Sequence, residues 1–234
     1  MLVTFDGGMG QGKTAAATAL GVAEYHRSGV ALFTTYHLND VIICPVCHQK
    51  HRVHYADPSS NGNGIAVYQC VPGGEIRRVT ETDEIDHIPY TYLSLEDFYT
   101  TFRAADQGKR TLHNCIFLLD EAYLFMDARH SGSKINRLFN SFVFQTRKRG
   151  VDMYITTHSV DRLDKRIRQA TDLRISCRYS LNTQIITIRI RDMLTGERRR
   201  IYISGPEAAF PYYDTNELVT PTGKLYRMTK EELT

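Results

Sequence analysis

Apolar positions follow two rhythms along this chain, and the loss of both marks off a third region. Four short runs are almost continuously apolar: Leu2-Val3-Thr4-Phe5, Val30-Ala31-Leu32-Phe33-Thr34, Cys115–Leu119 and Val151–Thr156. Runs of this length predict strands buried on both faces. Between them lie stretches with helical spacing. Ala15–Tyr25 is rich in Ala and Leu, and Ser28-Gly29 beyond it is a helix stop. Ser94, with Asp97 three residues on, approximates a capping box ahead of a helix over Leu95–Ala105. Lys134–Lys148 places Ile135, Leu138, Phe139, Phe142 and Val143 at helical spacing and ends near Gly150. Beyond Asp172, the segments Arg174–Tyr179, Gln184–Arg191 and Arg198–Ile203 look like antiparallel strands, the last two joined through Leu194-Thr195-Gly196-Glu197.

From about Asp40 to Asp86 neither rhythm holds, and Cys, His, Pro, Gly and Asn dominate. The reading is therefore an α/β fold with a central, mostly parallel sheet covered on both faces and a C-terminal antiparallel extension. A core over residues 1–39 and 87–219 is interrupted by an inserted module over 40–86 and followed by a polar tail over 220–234.

Composition narrows the class without choosing a function. The chain has 234 residues, 42% of them hydrophobic, which is ordinary for a soluble globular protein. No apolar stretch is long enough to span a bilayer, and the N-terminus reads as a strand rather than a signal peptide. A cytoplasmic location is expected. Five cysteines in such a compartment point to metal or core rather than to disulfides. A net charge of +3 is too small to decide about nucleic acid.

The chemistry starts at residues 7–14, Gly-Gly-Met-Gly-Gln-Gly-Lys-Thr, set between a strand and a helix. Glycines at 7, 8, 10 and 12 let the backbone curl so that N–H groups point at phosphate oxygens. The helix N-terminus adds its own donors. Gly8, Gly10, Gln11, Gly12, Lys13, Thr14 and Ala15 form the expected ATP cradle. Lys13 would reach the β- and γ-phosphates, and the Thr14 hydroxyl would hold Mg²⁺.

The strand Cys115–Leu119 ends in Asp120-Glu121. Asp120 would orient the metal and Glu121 would polarise the attacking water; alone, Asp120 could equally cap the next segment. In parallel sheets ligands sit at the carboxyl ends of strands, which puts the glycine loop, Asp120-Glu121 and Thr157-His158 on one rim. His158 is the favoured sensor of the γ-phosphate, with Thr157 close behind. Arg147-Lys148-Arg149 ends the preceding helix, where cations suit the helix C-terminus; the sharper reading is an arginine offered to a neighbouring subunit's nucleotide. Arg166-Ile167-Arg168 is a second candidate for that role.

Cys44-Pro45-Val46-Cys47 has the spacing of a metal knuckle, and Cys70 follows the strand-like run Ile65–Gln69. A second knuckle would need a cysteine near residue 73, where Gly73 and Gly74 stand, so one of His48, His51 and His54 must complete a site; His51 is preferred. Zn²⁺ at Cys44, Cys47, His51 and Cys70 competes with a redox dithiol or simply buried thiols. Cys115 and Cys177 read as core.

Leu118-Leu119-Asp120-Glu121-Ala122-Tyr123, Arg147-Lys148-Arg149-Gly150-Val151-Asp152, Ile155-Thr156-Thr157-His158 and Arg166-Ile167-Arg168 together resemble the core of the zonula occludens toxin-like ATPases. That group belongs with the FtsK/HerA translocases and viral genome-packaging ATPases. Phe210-Pro211-Tyr212-Tyr213-Asp214-Thr215 resembles its closing segment. The resemblance covers about residues 1–36 and 112–216. It implies a RecA-like P-loop NTPase core, ATP hydrolysis, ring assembly (often hexameric) and movement of double-stranded DNA. It carries the nucleotide loop onto Lys13 and Thr14, the acidic pair onto Asp120 and Glu121, and the trans arginine onto Arg147 or Arg149. Two features depart from the family: His158 stands where Gln is common, and no membrane segment follows the core as in the filamentous-phage branch. A soluble packaging motor, with a capsid or portal protein as a further partner, is therefore preferred. An ATPase that drives virion assembly, extrusion or secretion, and a nucleotide switch with little turnover, remain the alternatives.

Overall fold

A computed structural model of the chain describes residues 1–55, 66–70, 74, 76–107, 109, 111–124 and 134–213. The tail over 220–234, Ile65, Gly73 and Asp214-Thr215 of the closing segment lie outside the described residues, as does the side chain of Ile135.

The four apolar runs are the middle of one eight-stranded sheet. They form β1 (Leu2–Asp6), β2 (Ala31–Thr34), β10 (Cys115–Leu119) and β11 (Val151–Thr157). The remaining strands of that sheet are β9 (Tyr90–Tyr92), β12 (Leu173–Ser180), β13 (Ile185–Asp192) and β14 (Arg198–Ser204), and the order is β14-β13-β12-β1-β11-β10-β2-β9. All of β1 and β10 is buried, as continuous apolar runs require of strands covered on both faces. Helix α1 (Lys13–Ser28) lies on one face, where its small residues Ala15, Ala16 and Ala17 join Val3, Phe5, Ile116 and Leu118 in one cluster. On the other face α2 (Leu95–Asp106) and α3 (Lys134–Val143) supply Phe98, Phe102, Phe139 and Phe142 against Phe117, Met153 and Ile155.

The expected capping box is present: Ser94 Oγ donates to Asp97 Oδ2 at 2.6 Å, and the Asp97 N–H donates back to Ser94 Oγ at 3.2 Å. One reading needs correction. The single helix expected over Lys134–Lys148 is two, α3 and α4 (Thr146–Arg149). The Gln145 N–H bonds tightly back to Phe142 O at 2.8 Å, and the Thr146 hydroxyl takes Val143 O at 2.8 Å, so the regular ladder stops there. Strand β12 is antiparallel only to β13; it runs parallel to β1, because the segment bearing α5 (Lys165–Ala170) brings the chain back in the same direction. Strand β9, too short and polar to read from pattern, extends the parallel sheet beside β2.

Residues 41–86 form no helix among the described positions. Strands β3 (Val41–Ile43), β4 (Lys50–Arg52) and β8 (Ile85–Asp86) make one small sheet, and β5 (His54–Tyr55), β6 (Ala66–Gln69) and β7 (Ile76–Arg78) another. Their shared core is small: Ile42, Cys44, Val53, Tyr68 and Cys70. The base of this region is tied to the segment Phe210–Tyr212. Lys50 Nζ donates to the Tyr212 hydroxyl at 2.6 Å, and that hydroxyl donates to Asp86 Oδ2 at 2.9 Å.

The aromatic cluster is the part of the core with least room to relax. Phe102 is 1% exposed and its ring lies 4.2 Å from those of both Phe98 and Phe142. Phe102→Ala is expected to cost about 3–5 kcal/mol in chemical denaturation; a loss below 1 kcal/mol would show that this face is loosely packed.

Candidate functional site

The glycine loop runs from the carboxyl end of β1 into α1. Gly12 sits at the N-terminal boundary of α1 with φ 79°, a left-handed conformation that a side chain resists. A Cβ there would also approach Ile186 of β13 to 3.1 Å. The first bond of the helix is from Ala16 N–H to Gly12 O at 2.8 Å, which leaves the N–H groups of Lys13, Thr14 and Ala15 as first-turn donors without an acceptor inside the helix. Gly8 O accepts from the Gln11 N–H at 3.4 Å and from Lys13 Nζ at 3.0 Å, so the loop is folded around its own lysine.

The acidic pair meets this loop across the sheet. Thr14 Oγ1 donates to Asp120 Oδ1 at 2.8 Å, and Thr156 Oγ1 donates to the same oxygen at 2.5 Å. Thr156 Oγ1 in turn accepts the Glu121 N–H at 3.0 Å, and Thr35 Oγ1 accepts the Asp120 N–H at 3.0 Å. Glu121 is thereby held at φ 51°, left-handed for a non-glycine residue. Its Oε2 is buried and has no hydrogen-bond partner among the described residues. Burial, and then the charge of Asp120, push the Glu121 carboxyl above its usual range, with Lys13 partly opposing them.

His158 bridges the two halves. Its Nδ1 is 3.3 Å from Lys13 Nζ and its Nε2 is 3.3 Å from Glu121 Oε1. Burial first, then the cations Lys13 and Arg162, depress its pKa, which favours the neutral ring. A neutral ring with its proton on Nε2 satisfies both contacts: Lys13 donates to Nδ1, and Nε2–H donates to Glu121. Tyr123 packs against His158 with ring centres 5.5 Å apart, and the Arg162 guanidinium lies 5.5 Å over the Tyr123 ring.

The structure thus brings Lys13, Thr14, Asp120, Glu121 and His158 together. The sequence reading missed four supporting residues: Thr35, Tyr123, Thr156 as an anchor, and Arg162. The signal existed for Thr35, which directly follows a strand on the same rim, and for Tyr123, three residues past Asp120. The stacking of Arg162 on Tyr123 exists only in three dimensions.

The two arginines read as alternatives separate clearly. Both precede β11, at the opposite end of that strand from His158, so neither faces its own chain's loop. Arg149 is 9% exposed. Its guanidinium bonds Gln145 Oε1 at 3.1 and 2.9 Å and Thr111 O at 3.2 Å, and lies over the Phe142 ring. It is held within its own chain by these contacts. Arg147 is 89% exposed and only loosely paired, 3.7 Å from Asp172. Arg168 pairs with Asp161 at 3.3 Å, and Arg166 is exposed.

A second candidate site lies in the 41–86 region. The ligand atoms of Cys44, Cys47, His51 and Cys70 all fall within 4.8 Å of one another. Cys44 Sγ is 3.4 Å from Cys70 Sγ, and Cys47 Sγ is 3.0 Å from His51 Nε2. All five cysteines are free, and Cys115 and Cys177 are buried in strands of the main sheet. Burial would raise the Cys44 thiol, but hydrogen bonds from the Cys47 and Val46 N–H groups and from Cys70 outweigh it and hold Cys44 low. Three thiols and an imidazole this close are the donor set of a closed tetrahedral metal site. His48, in a left-handed turn, and His54, exposed on β5, stand outside the group.

The strand–glycine loop–helix unit, with an acid at the end of a neighbouring parallel strand meeting the loop's threonine, defines a P-loop NTPase fold. No family model matches the chain, and no curated protein matches it. Solved structures do. The genome-packaging NTPase B204 of Sulfolobus turreted icosahedral virus 2, determined in complex with ATP-gammaS, is similar at TM-score 0.51 and 12% identity, over 85% of this chain and 95% of that one. The N-terminal domain of zonular occludens toxin from Neisseria meningitidis is similar at TM-score 0.51 and 15% identity, over 91% and 98%. B204 of Sulfolobus turreted icosahedral virus, a DNA-packaging ATPase, is similar at TM-score 0.50 and 13% identity. These are the two kinds of protein that the motifs resemble. No helix among the described residues is long and apolar enough to cross a membrane.

Thr156 is the joint of the acidic pair. Thr156→Val, which keeps shape but leaves the Glu121 N–H unsatisfied, is expected to cost about 1–3 kcal/mol in denaturation, whereas Thr156→Ser retains most of the stability. Equal stability of Thr156→Val and wild type would show that the joint carries no load.

Proposed function

We propose that this chain hydrolyses ATP and uses the energy to move double-stranded DNA, as a genome-packaging motor assembled into a homo-oligomeric ring in the cytoplasm. The observation that carries the reading is the pocket in which Lys13, Thr14, Asp120 and Glu121 converge, with one Glu121 oxygen buried and without a hydrogen-bond partner among the described residues. The likeness in fold to a DNA-packaging ATPase supports the choice of substrate. The likeness to the toxin domain favours a second reading, an ATPase that acts on protein cargo during assembly or extrusion.

The residues present fit a nucleotide with Mg²⁺. Thr14 and Asp120 offer hard oxygens side by side, the chemistry that Mg²⁺ takes. Bound there, Mg²⁺ would supply positive charge to the β- and γ-phosphate oxygens. The loop N–H groups from Gly8 to Ala15 would hold the phosphates, and Lys13 would exchange Gly8 O for the β- and γ-oxygens. The free Glu121 oxygen would accept a proton from the attacking water, for which a raised pKa is suitable. His158, touching both Lys13 and Glu121, would register whether a γ-phosphate has drawn the lysine away. Arg147 is the arginine best placed to reach a neighbouring subunit's nucleotide.

Duplex DNA is expected to stimulate ATP turnover, and Glu121→Gln to bind ATP while hydrolysing it slower by on the order of 10²–10⁴. Turnover assays with and without duplex, beside nucleotide-binding titrations, check both. Full activity in Glu121→Gln would overturn its role, and turnover indifferent to DNA would favour the protein-cargo reading.

Cys44, Cys47, His51 and Cys70 would hold a structural Zn²⁺ that fastens a region whose own core is small. Purified protein is expected to carry about one zinc per chain, with Cys70→Ser losing it and melting at lower temperature. Protein that folds without metal and is unmoved by added zinc would refute the assignment.

A further inference from the structure

The antiparallel extension has two unlike faces. One is apolar: Ile175, Cys177, Ile186 and Ile188 are buried in the main core. The other is a field of arginines. In register, Arg174 lies opposite Arg191, and Arg191 opposite Arg198. Two residues along, Ser176 lies opposite Arg189, and Arg189 opposite Arg200. These six residues line a groove of about 720 Å³. Arg174 is committed to Asp6, 2.6 Å away. Arg189, Arg191, Arg198 and Arg200 are exposed, and none has a carboxylate partner among the described residues.

Such a face is costly for folding alone. Like charges directly opposite on neighbouring strands destabilise a sheet, and the usual remedy, an alternating acid, is absent among the described residues. Neighbouring strands lie ~4.8 Å apart and every second residue along a strand ~6.7 Å apart, so the guanidinium stems form a regular two-dimensional array. An anionic partner with repeated charges matches it. Single-strand binders stack bases on aromatic platforms, and on this face only Tyr202, opposite Thr187, is aromatic among the described residues.

The geometry points to the arginine face of β12–β14 as a sequence-independent binding surface for the phosphate backbone of duplex DNA. This inference rests on the DNA reading above and assigns the surface that grips the substrate. The same strands touch the nucleotide cradle. A Cβ on Gly7 would meet the Cys177 carbonyl at 2.8 Å, and one on Gly12 would meet Ile186 at 3.1 Å. A load on the arginine face is therefore borne by the strands against which the phosphate loop rests.

The test is duplex binding by the full chain, followed by fluorescence anisotropy across a series of KCl concentrations. Wild type is compared with the quadruple variant Arg189→Gln, Arg191→Gln, Arg198→Gln, Arg200→Gln. Each phosphate contact contributes about 0.9 to the slope of log affinity against log salt, so the variant's slope is expected to be shallower by about 3–4. ATP turnover without DNA should be unchanged, and melting temperature unchanged or higher as repulsion is relieved. Should the quadruple variant not fold, Arg191→Gln with Arg200→Gln should lower the slope by about 2. A variant that binds with the wild-type slope overturns the surface and leaves the DNA reading standing. Wild type that binds no duplex at low salt overturns both. Wild type that prefers single strands overturns the duplex assignment.

Discussion

A single carboxylate oxygen, Asp120 Oδ1, receives hydroxyl hydrogens from Thr14 and Thr156, and the arrangement of the site depends on that meeting. It joins the start of α1 to the ends of β10 and β11, while Thr35 and Thr156 take the backbone N–H groups of the acidic pair. Hydrogen bonds to a charged group are each worth about 1.5–3 kcal/mol. A left-handed non-glycine residue costs on the order of 1–3 kcal/mol. The joint is therefore strong enough to hold Glu121 at its unfavourable φ, and that backbone turn is what parts the two carboxylates. Asp120 faces the loop threonine, and Glu121 turns toward His158 and keeps one oxygen without a partner among the described residues.

What pattern alone reveals follows from where each signal is stored. Strands β1, β10 and β11 were legible because burial on both faces removes polar alternation, and β2 because its run is almost continuously apolar although Ala31 is exposed. The glycine cradle, the acidic pair and the cysteine knuckle were legible because their chemistry needs fixed spacing. The break between α3 and α4 was not, since Phe139, Phe142 and Val143 keep helical spacing up to a stop made by one threonine hydroxyl. Nor could pattern choose between Arg147 and Arg149: two residues apart on one short turn, they point one into the chain and one into solvent. Thr35 had only its place at a strand end to mark it and Tyr123 only its nearness to Asp120, while Arg162 acts through Tyr123, a partner distant in sequence.

The small sheets over residues 41–86 illustrate how a weak core is compensated. Among the described residues five buried side chains form its centre, and two of them are the cysteines Cys44 and Cys70. Hydrophobic burial on that scale offsets little of the entropy of ordering the chain. At its base the Lys50–Tyr212–Asp86 relay ties the region down, and inside it the ligand atoms of four metal-type side chains lie within 4.8 Å of one another. Tyr212 is 1% exposed and belongs to the main core, so the chain's closing segment fixes this region to the sheet.

The extension β12–β14 answers a different constraint. Its apolar face contributes Ile175, Ile186 and Ile188 to the main cluster, and that burial outweighs the repulsion among arginines on the reverse: fully burying one such side chain is worth about 1.5–3 kcal/mol, while a cross-strand pair is worth about 0.2–1 kcal/mol either way. The sheet can therefore tolerate an electrostatically unfavourable surface. Because the buried side of that sheet also supports the phosphate loop through Cys177 and Ile186, a small change in its twist would reach the residues that cradle phosphate. Coupling between the two faces then needs no moving lever, only a sheet stiff enough to carry displacement from one face to the other.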